Sequence, residues 1–271
     1  MSIKIVSIDV DGTLHNSKNS ISPKTVETVK KAVKQGVQIV ITTGRPFPGV
    51  VPILDELEIT GDDHYVITFN GGTVQTASGK IISQTEMNRE DFDELFEFSK
   101  TQTGSHFQLE TNQFAETINH QINPFAQKEN YLVNLPLRVH DADKLPNDLP
   151  LIKAMFNGES KQLDKIQANF PTKLQERINM LRGASYNLEF VSLETSKGNG
   201  LTMLAEKLGV DMQDTMAIGD QGNDLSMLQV AGIAVAMGNG IDQLKEIADF
   251  ITEDNDNDGV AVALEKFVLN L

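Results

Sequence analysis

The sequence of 271 residues contains no cysteine and no tryptophan, and only 6% of its residues are aromatic. Without cysteine the chain has no disulfide and no thiolate chemistry, which favours a reducing compartment. The scarcity of aromatic rings argues against a stacking platform for nucleic-acid bases. No apolar run approaches the length that spans a membrane, and the first residues do not have the pattern of a signal peptide. We therefore expect a cytoplasmic protein.

Positively charged residues are also few. The sequence has 23 Lys and Arg residues and 38 Asp and Glu residues, which gives a formal net charge of −15. Such a chain repels nucleic acid and anionic membranes, and no basic run offsets the repulsion. We therefore expect no nucleic-acid partner and no membrane partner. The length allows one large domain or two modest ones, and the oligomeric state stays open.

The most informative stretch is a buried apolar strand over residues 4–8 that ends in Asp9, Asp11 and Gly12. On an extended backbone two residues that are two apart point the same way, so both carboxylates would lie together. Close like charges need a cation, and a hard cation such as Mg²⁺ prefers oxygen ligands. A solvated turn is the alternative interpretation. An EF-hand calcium loop is excluded, because Leu14 and Ser20 stand where glycine and glutamate are required.

Strands alternate with helices along both ends of the chain, which predicts an α/β fold with a parallel sheet. Between them the elements are shorter and more polar, which indicates an inserted α+β module. We therefore expect a discontinuous core domain over residues 1–84 and 192–271 and an inserted domain over residues 85–191. The segment 174–178 is predicted as helix.

Parallel strands bring their carboxyl ends to one edge of a sheet, where open α/β folds place their ligands. Polar residues follow several of the predicted core strands or begin the next helix: Asp9, Asp11, Thr43, Arg45, Lys197, Asp220, Asn223 and Asp224. Carboxylates, cations and a hydroxyl together suit the binding of a divalent cation and a phosphate. The chain has no glycine-rich nucleotide loop and no histidine pair with zinc spacing.

These residues carry a resemblance to a known family. Residues 9–13, 43–45, 197–198 and 219–224 resemble the four ordered motifs of the haloacid dehalogenase superfamily of phosphatases. The insertion resembles the α/β cap (C2B type) of its Cof-type branch, subclass IIB, and the closest likeness is to YidA-type sugar phosphatases. The resemblance implies a Rossmann-like parallel-sheet core with an inserted α+β cap that closes over the substrate.

The resemblance also implies roles for the acidic residues. Asp9 would be the nucleophile that forms an aspartyl-phosphate, and Asp11 would be the general acid and base. Mg²⁺ would be held by Asp9, by the backbone carbonyl of Asp11 and by Asp220. Asp224 would orient waters or the lysine.

Phosphate and substrate binding would fall to a second group of residues: Thr43, Gly44, Arg45, Lys197 and Asn223. Thr42 is the competing hydroxyl. Whether Asn70, at the end of the third strand, or His106, in the cap, contacts the substrate stays open.

The resulting hypothesis is a Mg²⁺-dependent phosphatase of small phosphorylated metabolites, with sugar phosphates favoured. One alternative is a phosphotransferase or phosphomutase of the same superfamily, and another is a non-catalytic regulator that senses phosphate. The sequence does not name the substrate or the cap residues that select it.

A second acidic motif, residues 254–259 with Glu265, matches the EF-hand pattern letter for letter. An EF-hand needs a helix that runs into the loop, whereas residues 249–252 are predicted as strand. We expect Asp258 to cap the following helix and do not expect calcium binding.

Overall fold

A computed structural model describes residues 2–271, and the chain divides into two compact units. The first contains the residues up to 43, residues 51–83 and residues 196–271; the second contains residues 44–50 and 84–195. The sequence-based division places residues 44–50 in the core, whereas the structure groups them with the inserted segment. In the described part of the chain, no helix is long and apolar enough to cross a membrane.

The strands of the described residues are short and are numbered along the chain. They are β1 (Ile5–Ile8), β2 (Gln38–Thr42), β3 (Tyr65–Thr68), β4 (Thr73–Thr76), β5 (Ile81–Gln84), β6 (His106–Glu110), β7 (Ala115–Thr117), β8 (Leu137–Val139), β9 (Lys153–Asn157), β10 (Ile178–Leu181), β11 (Asn187–Ser192), β12 (Thr215–Gly219), β13 (Ile233–Ala236) and β14 (Phe250–Ile251).

The α-helices are numbered in the same way. They are α1 (Pro23–Lys34), α2 (Val51–Leu57), α3 (Arg89–Lys100), α4 (Pro124–Leu132), α5 (Ser160–Ala168), α6 (Thr172–Gln175), α7 (Lys197–Leu208), α8 (Leu225–Val230), α9 (Asp242–Ile247) and α10 (Gly259–Leu264). Short 3₁₀ turns follow β3 (Phe69–Gly71) and β12 (Gly222–Asp224).

The first unit is built on an eight-stranded sheet in the order β14-β13-β12-β1-β2-β3-β4-β5. Strands from β14 to β3 run parallel, and β4 turns back antiparallel to β3. Every residue of β1 is buried, as expected for a central strand that is covered on both faces. The carboxyl ends of β1, β2 and β12 therefore lie side by side, and the α/β fold class predicted from the sequence is confirmed.

Helix α7 closes one face of this sheet. Its Leu201 and Leu204 pack in one apolar cluster with Ile5 of β1, Val40 of β2 and Ala217 of β12. The side chain of Ser196 caps the helix by accepting a hydrogen bond from the N–H of Asn199 (3.1 Å). This hydrogen bond fixes the start of α7, so that Lys197 is the first residue of a helix that packs against the sheet.

The second unit has a six-stranded sheet in the order β10-β11-β9-β6-β7-β8. One face is aromatic, with the rings of Phe107 and Phe156 centred 4.9 Å apart. The other face is polar and buried, and the ammonium of Lys153 lies 2.7 Å from the Glu110 carboxylate. Alternation of apolar and polar residues along β6 and β9 produces these two faces.

Two elements of the second unit differ from the sequence-based prediction. The predicted helix over 174–178 is wrong at its end, because α6 stops at Gln175 and Ile178 begins β10. Ile178 is buried and pairs with Ser192 of β11, a contact that local periodicity does not contain. Strand β8 is absent from the prediction because Arg138 and Val139 are exposed and give no buried pattern.

The acidic loop 254–259 follows strand β14, as predicted, and no helix leads into it. The carboxylate of Asp254 accepts hydrogen bonds from the N–H of Asp256 (3.0 Å) and the side chain of Asn257 (2.9 Å). Asp258 occupies the N-cap position of α10, as expected, but its side chain makes no cap hydrogen bond and instead accepts one from Ser22.

Candidate active site

Two acids follow neighbouring central strands of the first unit. Asp9 comes directly after β1, and Asp220 comes directly after β12. The two strands are parallel, with Ile8 opposite Ile218, and the N–H of Asp9 donates to the carbonyl of Ile218 (3.1 Å). Parallel pairing in this register therefore brings both acids to the same edge of the sheet.

Lys197 provides the cation at this edge. It is fully buried, and its Nζ donates to Oδ1 of Asp9 and, at 2.6 Å, to Oδ1 of Asp224. The three residues come from distant parts of the sequence, yet they form one buried chain of ion pairs. A buried lysine between two carboxylates is held in one position, which suits a group that must bind a ligand in a defined geometry.

Asp224 is held from both sides. Its Oδ1 accepts from Lys197, and its Oδ2 accepts from the N–H groups of Asp220 and Gln221, both at 2.9 Å. The carboxylate thus closes the turn after β12 and orients the lysine at the same time. Because its oxygens are already engaged, Asp224 fits a positioning role better than the direct binding of an ion.

Asp220 is fixed by the loop that follows β1. Thr13 donates to its Oδ1 (2.9 Å), and the side chain of Gln221 donates to its Oδ2 (3.2 Å). Gly12 has φ +87° and packs so closely that a Cβ there would lie 2.5 Å from Oδ2 of Asp220. Only glycine combines this backbone conformation with this close approach.

Asp11 differs from these acids in its exposure. The strand ends at Ile8, and the backbone then turns, with the N–H of Leu14 donating to the carbonyl of Asp9 (3.2 Å). Val10 is buried and Asp11 is exposed, and the strand does not extend to Asp11 as predicted; the closeness of the Asp9 and Asp11 carboxylates stays a prediction. The turn leaves Asp11 open to solvent.

The end of β2 separates two neighbouring threonines. The side chain of Thr42 is buried in the core, where its hydroxyl oxygen lies 2.6 Å from that of Ser7. Thr43 follows the last residue of the strand and is buried. Its N–H donates to the carbonyl of Ile67, and its own carbonyl accepts from the N–H of Asn70, both at 2.9 Å. Gly44 and the half-buried Arg45 group with the second unit.

The remaining candidates divide between the two units. Asn223 lies in the turn after β12, where its side chain donates to Oδ1 of Asn70 (3.0 Å). Sequence reasoning left the role of Asn70 open, and nothing local in the sequence reveals this long-range contact. His106 begins β6 in the second unit and is buried, and burial lowers the pKa of its imidazole to about 4.

The cluster has more negative charge than its one lysine balances. Burial and then the Asp224 carboxylate raise the pKa of Asp9 to about 8, although Lys197 opposes the shift. Burial likewise raises the pKa of Asp220. For Lys197 burial alone would lower the pKa, but the carboxylates of Asp224 and Asp9 outweigh it and the pKa is raised. The lysine is therefore charged at neutral pH, and among the described residues three carboxylates share this one ammonium.

A divalent metal ion fits this arrangement. One oxygen from each of the Asp9, Asp220 and Asp224 carboxylates lies within 4.8 Å of the other two, although the oxygens of Asp224 already accept hydrogen bonds from Lys197 and two backbone N–H groups. Oxygen ligands and uncompensated negative charge are what Mg²⁺ requires. A bound divalent cation would favour the ionised forms of Asp9 and Asp220, whose pKa values are raised first by burial and also by neighbouring carboxylates.

The turn after β12 offers a matched pair of glycine substitutions. A Cβ on Gly219 would lie 2.5 Å from the side chain of Asp224, whereas a Cβ on Gly222 would meet nothing within 4 Å. We expect Gly219→Ala to displace Asp224 and with it Lys197, and to lower catalytic efficiency by about a hundredfold, the cost of misplacing a site residue by an ångström. Gly222→Ala should retain activity. Steady-state kinetics with circular dichroism of both variants test this, and equal activities would contradict it.

The chain matches a family model along most of its length. Residues 6–264 match the model of the haloacid dehalogenase-like hydrolases. A "putative phosphatase" of Streptococcus pyogenes serotype M6 is 40% identical over 271 residues, covering 100% of both chains. A 5-amino-6-(5-phospho-D-ribitylamino)uracil phosphatase of Bacillus subtilis is 31% identical and covers 98% of both.

Solved structures show the same fold. A haloacid dehalogenase-like hydrolase from Bacteroides thetaiotaomicron superposes with a TM-score of 0.88 at 32% identity, covering 98% of this chain and 99% of the other. A subclass IIB sugar phosphatase shares the fold, with a TM-score of 0.79 at 24% identity over 97% and 98% of the two chains. This chain therefore belongs to the haloacid dehalogenase-like hydrolases and is a phosphatase of that family.

Proposed function

We propose that this phosphatase depends on Mg²⁺ and hydrolyses small phosphorylated metabolites, sugar phosphates among them, through an aspartyl-phosphate on Asp9. The observation that supports the proposal is the buried contact of Lys197 with Asp9 and Asp224, next to Asp220. A lysine beside a nucleophilic carboxylate and an acidic ion site provides positive charge where a phosphoryl group would be attacked.

In the first step the Asp9 carboxylate attacks phosphorus in line. An oxygen–phosphorus bond forms to Asp9, the bond to the leaving alkoxide breaks, and the Asp11 carboxyl gives its proton to the alkoxide. The exposed position of Asp11 suits contact with a leaving group of the substrate. In the second step the Asp11 carboxylate takes a proton from a water molecule, whose oxygen bonds to phosphorus as the bond to Asp9 breaks. Inorganic phosphate is released and the Asp9 carboxylate is restored.

The binding of the phosphoryl group is assigned to the side chains around the cluster. Lys197 would neutralise its charge, and Thr43 and Asn223 would bind its oxygens. Mg²⁺ would be held by Asp9, by Asp220 and by the backbone carbonyl of Asp11, and when bound it would offset the repulsion between the carboxylate and the phosphate. Asp224 would keep Lys197 in place.

Substrate selection is assigned to Arg45 and to the inserted domain over residues 85–191. The Bacillus subtilis relative is named for a phosphorylated ribityl compound, a sugar-alcohol phosphate. By analogy this favours a phosphate monoester on a polyhydroxylated carbon chain for the present protein.

Hydrolysis of p-nitrophenyl phosphate tests the reaction. We expect phosphate release with Mg²⁺, its loss in excess EDTA and its return when Mg²⁺ is restored, because the acidic cluster needs a second cation. A protein equally active in EDTA would contradict the metal dependence.

A screen of phosphorylated metabolites with product analysis then separates the alternatives. Free phosphate supports a phosphatase, an isomeric sugar phosphate would indicate a mutase, and binding without turnover would indicate a sensor.

A further inference from the structure

The turn after β3 has an unusual backbone. Phe69, Asn70 and Gly71 are three consecutive residues with positive φ, at 53°, 56° and 98°. Residues with a side chain avoid this region, and each one held there costs about 1–3 kcal/mol. Such a conformation persists only where the surrounding structure enforces it. The contacts of the turn show what enforces it here.

Three separate parts of the candidate site meet this turn. The backbone N–H of Asn70 donates to the carbonyl of Thr43 (2.9 Å), and its Oδ1 accepts from the side chain of Asn223 (3.0 Å). A Cβ on Gly71 would lie 1.9 Å from the carbonyl oxygen of Ser196, so the turn also packs against the start of Lys197's helix. The segments that contain the three proposed phosphate-binding residues are therefore joined at one point.

The side chain of Asn70 differs from that of Asn223 in exposure. Asn70 is buried, whereas Asn223 is exposed and lies in a short 3₁₀ turn. An exposed amide is free to rotate unless a fixed partner holds it, and the entropy lost on binding a ligand then lowers affinity. The left-handed backbone places the Asn70 amide where it can hold Asn223.

We propose that Asn70 is a positioning residue, whose side chain orients the Asn223 amide for the phosphoryl group and whose backbone holds Thr43. The inference rests on the proposed function, because it assumes that Asn223 binds phosphate. It assigns Asn70 no contact with the reacting atoms. Asn70 acts before the substrate arrives, by fixing the phosphate-binding side of the site.

Asn70→Gly isolates this role. Glycine adopts positive φ without strain and keeps the N–H that bonds Thr43, so the substitution removes the side-chain amide and little else. If Asn70 served only to form the turn, Asn70→Gly would leave catalysis unchanged. Asn19→Gly is the matched control, since Asn19 is exposed and also has positive φ, at 61°.

The experiment is a double-mutant cycle on p-nitrophenyl phosphate hydrolysis with Asn70→Gly, Asn223→Ala and the double variant. We expect Asn70→Gly to raise KM by about tenfold, the worth of one hydrogen bond, with kcat within about threefold of wild type. The double variant should have the KM of Asn223→Ala alone, because Asn70 acts through Asn223. Asn19→Gly should match wild type in KM and melting temperature.

Three results would overturn the inference. These are an unchanged KM in Asn70→Gly, a double variant whose KM increase is the product of the two single increases, and an Asn70→Gly defect in kcat alone. If the wild-type protein hydrolyses the substrate and one of these three results is observed, only the proposed role of Asn70 is contradicted. If the wild-type protein does not hydrolyse it with Mg²⁺, the proposed function falls and this inference with it.

Discussion

Asp9→Asn is expected to abolish phosphate release while leaving the fold intact. The amide cannot attack phosphorus at a useful rate, so kcat should fall by at least about a thousandfold. The geometry changes little, because asparagine has the same shape and its oxygen can still accept from Lys197. Phosphate release with Mg²⁺, followed over hours at high enzyme concentration, measures a fall of this size.

The same substitution is expected to maintain or raise thermal stability. Burial and the neighbouring Asp224 raise the pKa of Asp9 from 3.8 to about 8, so the folded protein binds this proton more tightly than the unfolded chain. Stability from this group is therefore present below pH 4 and is lost as the pH rises towards 8. At pH 7 this carboxyl is ionised in the unfolded chain and must take up a proton on folding, which costs free energy, and neutral asparagine removes that cost. Loss of activity at equal or higher stability is typical of a residue kept for function.

Asp55→Asn is the matched control, since Asp55 is exposed on α2 and lies outside the cluster. It should change neither activity nor melting temperature in metal-free buffer. An Asp9→Asn protein that retains more than a tenth of wild-type activity would show that another residue attacks phosphorus. An Asp9→Asn protein that is inactive but unfolded would not meet the expectation either, and circular dichroism separates the two outcomes.

The main features of the core could be predicted because they follow from local patterns. A continuous apolar run followed by aspartate indicates a buried strand with an acid at its end, and the rule of parallel strand ends then applies. That argument predicted an edge shared by Asp9, Lys197 and Asp220, and the carboxylates of both acids lie within 4.8 Å. The apolar pattern alone therefore located the candidate site.

What could not be predicted depends on long-range contacts. The prediction extended β1 through Asp11, whereas the strand ends at Ile8, and strand ends are poorly marked in a sequence. Local periodicity predicts a helix at Ile178. The residue is in a strand because it pairs with Ser192, which lies fourteen residues further along the chain and outside the local pattern. The bond between Asn70 and Asn223 joins two turns 153 residues apart, and neither turn has a pattern that indicates the other.

Lys197→Met is expected to damage both stability and activity. The lysine is fully buried between Asp9 and Asp224, and its removal leaves these buried carboxylates without the cation that pairs with them. Methionine keeps most of the apolar volume, so the loss is mainly electrostatic. Breaking a buried ion pair from one side costs roughly 3–5 kcal/mol of unfolding free energy. Catalytic efficiency should fall by about a hundredfold or more, because the charge that faces the phosphoryl group is lost.

Lys207→Met, on the exposed face of the same helix, is the matched control and should change the unfolding free energy by less than about 0.5 kcal/mol. Urea titration of both proteins in metal-free buffer measures the difference. Equal midpoints would contradict the ion-pair argument.

A double variant then separates stability from catalysis. Lys197→Met with Asp224→Asn removes one negative charge along with the positive one, while the asparagine oxygen can still accept from the N–H groups of Asp220 and Gln221. We expect the double variant to be more stable than Lys197→Met and still inactive, because removing the unpaired carboxylate relieves the repulsion but does not replace the ammonium. Recovery of activity along with stability would show that Lys197 only holds the fold together; recovery of stability alone supports its proposed role at the phosphoryl group.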